Sequence, residues 1–81
     1  MPSLSELPSK ISRDKFTKAL CDLGFEISKK GGKGNHYKAT YIANQKCIII
    51  PSDLHKQVLY YLLKEIEKQT NITWSDIQKY I

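Results

Sequence analysis

Behind Ser12 and Asp14, the apolar residues Phe16, Ala19, Leu20 and Leu23 recur at helical spacing until Gly24 interrupts them. Serine suits an N-cap, aspartate suits a first turn, and glycine leaves a helix through the left-handed region, so the pattern predicts helix one over residues 13 to 23. Phe25 can then fold back on the last turn and fix the direction in which the chain leaves. From there the period changes from helical to alternating. In "FEISKK" Phe25 and Ile27 share one face, while Glu26, Ser28 and Lys30 share the other. "NHYKATYI" alternates again, with Tyr37, Ala39 and Tyr41 on one side and His36, Lys38 and Thr40 on the opposite side. His36 is therefore expected to point away from the core. "ANQK" supplies a reversal, and "CIIIP" reads as a short β-branched strand closed by Pro51, which cannot donate into a ladder.

The helical period then returns. Ser52 or Asp53 can cap a second helix in which Leu54, Val58, Leu62 and Ile66 form a stripe, widened by Leu59 and Leu63. Near the end, Thr73 and Asp76 have capping-box spacing, with Ile72 and Ile77 placed as a hydrophobic staple, which predicts a third short helix over 74 to 81. Nothing in residues 1 to 11, with Pro2 and Pro8, predicts regular structure. The expected architecture is α+β: one domain over residues 1–81, with an arm (1–11), an α-β-β-β-α order, and a C-terminal helical extension (70–81). Its three-stranded antiparallel sheet carries helices on one face and leaves the other open. Ile48 and Ile50 complicate this picture, since a strand apolar on both sides needs a cover for its second side.

Eighty-one residues make one small domain, too small for a large enclosed substrate cavity. No apolar run of about 18 residues is present to span a membrane. "MPSLSELPSK" has neither the charged nor the apolar region of a signal peptide, so a cytoplasmic protein is the default expectation. Cys21 and Cys47 lack CxxC or zinc-ligand spacing and read as two reduced, mostly buried thiols; no structural metal and no cofactor is expected.

The net charge of +5 becomes informative once it is located. Residues 27 to 52 hold Lys29, Lys30, Lys33, Lys38 and Lys46 and no acid, whereas the other segments hold eight basic and eight acidic residues. The whole excess lies on the middle third of the chain, which points to one positive face and a polyanionic partner. Within it, "KKGGKGNHYK" carries more glycine and charge than a chain reversal needs. Residues without bulk, flanked by Lys29, Lys30, Lys33 and Lys38, let a phosphodiester backbone approach exposed N–H groups and ammonium charges.

The histidine at the end of that stretch adds chemistry. An imidazole, with an ordinary pKa of about 6.5, both accepts and donates protons near neutral pH. RNA brings its own nucleophile in the 2′-hydroxyl. One acid or base and a cation beside the phosphate are then enough for slow cleavage.

The chain resembles the HicA-type mRNA-interferase toxins of toxin-antitoxin pairs, also called YcfA-like proteins. The resemblance covers roughly residues 7 to 66. It rests on "LPSKIS" before helix one, on "ALCDLGFEI", on the glycine-polar-histidine triplet Gly34-Asn35-His36, on "IIIP" and on "VLYYLLKEI". It implies a double-stranded-RNA-binding-domain-like fold, cleavage of mRNA without a metal, and neutralisation by a HicB-type antitoxin protein. By the same resemblance His36 is the catalytic histidine, and Gly34 and Asn35 position the RNA backbone. Asn35 stands where the family usually has serine, and "GGKG" is longer than the family's usual turn. His55, before the second helix, is an accessory RNA contact in this reading. Two other readings stay open: a non-catalytic RNA-binding module, and an interaction protein that docks a partner on its sheet.

Overall fold

A computed structural model describes residues 2–29 and 36–81. Lys30, Lys33, Gly34, Asn35 and the Gly-Gly-Lys-Gly run lie outside the described residues. After a 3₁₀ turn at Leu4–Glu6 the elements are β1 (Lys10–Ile11), α1 (Arg13–Asp22), β2 (Phe25–Ser28), β3 (Tyr37–Tyr41), β4 (Lys46–Ile50), β5 (Leu54–His55), α2 (Lys56–Thr70) and α3 (Trp74–Gln78). Strands β2, β3 and β4 form an antiparallel sheet in that order, and β1 pairs with β5. This is the expected α+β order, with helices packed on the sheet and a short C-terminal helix.

Local chemistry sets the boundaries. The Ser12 side chain accepts a hydrogen bond from the Lys15 N–H at the start of α1, and Gly24 takes φ +99° just after its end. That angle is open to glycine at little cost. Ile42 N–H then donates to the Gly24 carbonyl at 3.0 Å, which ties the helix exit to the end of β3. Between β3 and β4 the chain reverses through Gln45 at φ 60°, braced by Lys46 N–H donating to Asn44 Oδ1.

Alternation along the sheet separates two environments. Phe25, Ala39, Ile48 and Ile50 are buried toward Phe16, Leu20, Leu59, Leu63 and Ile66 of the helices. Each fully buried side chain of this size contributes about 1.5–3 kcal/mol. On the other face Glu26, Ser28, Cys47 and Ile49 are exposed, and Ile49 retains 46% of its surface.

Several expectations are corrected. Ile48 and Ile50 share the core face and are covered, so the apolar residue of the open face is Ile49. An unbroken apolar run has no period by which to assign its faces. Both cysteines are exposed: Cys21 lies on the outer side of α1, and Cys47 belongs to the open face of β4. Neither Ser52 nor Asp53 caps the second helix. Leu54 and His55 continue as strand β5, pairing with Ile11 and Lys10, so that His55 becomes the N-cap without a side-chain cap bond. The arm accordingly carries regular structure. The third helix stops at Gln78, and the C-terminal segment reaches the core through Ile72, Trp74 and Ile77.

Candidate nucleic-acid interface

Four elements bring their ends together where β3 begins. Tyr37 opposes Ile50, so the start of β3 and the end of β4 are level, and Ser28 opposes Lys38 on the other side. The guanidinium of Arg13, in the first turn of α1, lies over the Tyr37 ring. Pro51 leads from β4 into β5, which pairs with β1, and Ser9, just before β1, holds the start of α2 through Lys56 N–H donating to the Ser9 carbonyl at 3.0 Å. At the opposite end Asn44 Nδ2 donates to the Gln69 carbonyl at 2.8 Å and fixes the other end of α2 there. Both long helices thus direct their N-termini, the positive ends of their dipoles, toward the start of β3.

The sequence-predicted residues fall around this end. His36 immediately precedes β3 and is half-buried. Lys38, two positions on and therefore about 7 Å along the strand, is half-buried in β3 between Ser28 and Ile49. Lys29 follows β2 and is exposed, with its ammonium 5.7 Å from the Tyr37 ring centroid. His55 is exposed at the N-cap of α2, paired in register with Lys10. Lys10 in turn forms an exposed ion pair with Asp53 at 3.4 Å. Lys10, Arg13, Lys29, Lys38 and Lys56 belong to the segments that reach this end, with the acids Glu6, Asp14, Glu26 and Asp53 close to them in sequence.

Arg13 and Tyr37 escaped the sequence reading. Arg13 belongs to helix one, where acids accompany the basic residues, rather than to the acid-free basic window, and Tyr37 reads as a core residue by its alternation. Only the tertiary approach of α1 to β3 reveals the pair. Among the described residues, no set of three or more His, Cys, Asp or Glu side chains is placed to hold a metal ion. A groove of about 660 Å³ between the N-terminal arm, α1 and α3, floored by Leu7, Ile11 and Trp74, includes neither His36 nor Lys38. Among the described residues no helix is long and apolar enough to cross a membrane.

No protein-family model, curated protein or solved structure matches the chain.

Proposed function

We propose that the protein is an endoribonuclease that cleaves mRNA without a metal ion, acting as the toxin of a toxin-antitoxin pair and held in check by a HicB-type antitoxin protein. The observation that carries this reading is the gathering of His36, Lys38 and Lys29 with Arg13 at one end of an open sheet, where both long helices direct their N-termini. The likeness of its motifs to HicA-type toxins supports the same assignment.

The chemistry follows from the groups present. The RNA 2′-oxygen attacks the adjacent phosphorus, a new P–O bond forms, and the bond to the 5′-oxygen breaks, leaving a 2′,3′-cyclic phosphate and a 5′-hydroxyl. One proton leaves the 2′-hydroxyl and one reaches the 5′-oxygen. His36 serves one of these two transfers, as base or as acid. Lys38, two positions along the chain in β3, stabilises the negative charge that grows on the phosphorane oxygens. Lys29, with Lys30 and Lys33, holds the flanking backbone, and His55 is an accessory contact. With a single titrating group the enzyme is slow.

The test is incubation of the purified chain with a defined single-stranded RNA in the presence of a chelator. Cyclic-phosphate ends are expected, and no cut is expected where the nucleotide 5′ to the scissile phosphate is a deoxynucleotide. RNA that is bound but never cut, with or without added divalent metal, would leave a non-catalytic RNA-binding module in its place.

A further inference from the structure

Ile49 stands directly opposite Lys38 in the β3–β4 ladder. Both belong to the open face, where side chains directly opposite each other have Cβ atoms about 5 Å apart. The other side chains of that face, Glu26, Ser28, Thr40 and Cys47, are small or polar, whereas Ile49 keeps 46% of its surface exposed. The helices pack on the opposite face and leave it uncovered.

Charge divides the same face. Lys38 makes no ion pair among the described residues, and residues 30–35 contain no acid in their sequence. Within the three strands the one acid is Glu26, on β2 opposite Thr40. Strand β4 is the far edge of the sheet, with β3 between it and Glu26. A polyanion on this face is therefore repelled over β2, while over β3 and β4 it meets an unpaired cation beside an apolar side chain. A nucleotide offers the two chemistries that such a pair takes, an anionic phosphate and the flat face of a base. We propose that Lys38 and Ile49 form a nucleotide subsite, Lys38 holding the phosphate and Ile49 packing against the base, so that RNA crosses the sheet over β4 and not over β2. This subsite rests on reading the protein as RNA-binding, and it adds an apolar base contact to the charged ones. Every base has a face to offer, so the contact selects nucleotides without selecting a sequence.

Fluorescence anisotropy with a short single-stranded RNA carrying 2′-O-methyl riboses tests it, because the absent nucleophile lets binding be measured without cleavage. An oligomer of the same length built from abasic residues serves as the second probe. Ile49→Thr keeps a β-branched strand residue and loses apolar surface, and Ile49→Phe enlarges that surface. Ile49→Thr should bind the RNA about fivefold more weakly than the wild type, with the salt slope unchanged, and should bind the abasic oligomer equally well. Ile49→Phe should bind the RNA more tightly. If both variants melt with the wild type and bind the RNA with its affinity, Ile49 is a solvated strand residue and the inference fails while the RNA reading stands. Equal weakening of Ile49→Thr on both oligomers would also overturn it, because the base would then play no part. A wild type that binds no RNA would overturn both.

Discussion

Tyr37 stands directly opposite Ile50 in the β3–β4 ladder. The pairing makes His36, just before one strand, and Pro51, just after the other, occupy the same end of the sheet. The segment that directly follows Pro51, through His55 to the start of α2, begins there. A residue on the second strand of the sheet and a helix beginning twenty residues later are thus neighbours through backbone register.

The electrostatic part of the account is tested by Lys38 and Lys29. Replacing both by alanine should reduce the salt slope of RNA binding by about 1.4, at about 0.7 for each lost phosphate contact. The fold should be retained, because Lys29 is exposed and Lys38 is only half-buried. An unchanged slope in a filter-binding titration would show both lysines to be merely solvated.

The thiols give a stability prediction. Cys21 and Cys47 are exposed, and the Cys47 sulfur touches Thr40 Oγ1 at 3.5 Å across the open face. Cys21→Ser and Cys47→Ser should each unfold within about 0.5 kcal/mol of the wild type in urea, with cleavage per folded molecule intact. A loss of several kcal/mol would mean that the thiols are packed.

The start of α3 gives a pH prediction. Asp76 Oδ2 accepts from the Thr73 N–H at 3.0 Å and from the Thr73 hydroxyl at 3.1 Å, while Thr73 Oγ1 accepts from the Asp76 N–H. The Thr73 backbone bond first, then its hydroxyl, and more weakly the charge of Lys79 hold the Asp76 carboxyl below its ordinary value of 3.8. A carboxyl depressed on folding contributes stability that is present above the ordinary value and disappears as pH falls through the lower folded one. The melting temperature of Asp76→Asn should therefore lie below that of the wild type at pH 7, with the gap closing below about pH 4. Thr73→Ala should cost about 1 kcal/mol as a lost cap. A gap that stayed constant down to pH 2 would contradict the carboxylate's role.

Much of this fold was legible because its punctuation is local. Gly24 ends the helical period, Pro51 ends the last strand of the meander, and Thr73 with Asp76 opens α3, each through a group that acts within a few residues. What stayed hidden depends on distant partners. The Lys10–His55 and Ile11–Leu54 pairs join segments more than forty residues apart, and two-residue strands carry no periodicity of their own. The run from Cys47 to Ile50 shows no alternation, so its faces follow only from the ladder with β3. The site was read in the same way: His36 and Lys38 stand out by composition and parity, whereas Arg13 joins them only when α1 is packed on the sheet.

The most direct test separates binding from chemistry at His36. His36→Ala removes the titrating group at the start of β3 and leaves every lysine in place. The account predicts that cleavage of a defined RNA falls by roughly a hundredfold or more while affinity for the 2′-O-methyl analogue is unchanged within about twofold. Cleavage by His36→Ala at the wild-type rate would contradict it.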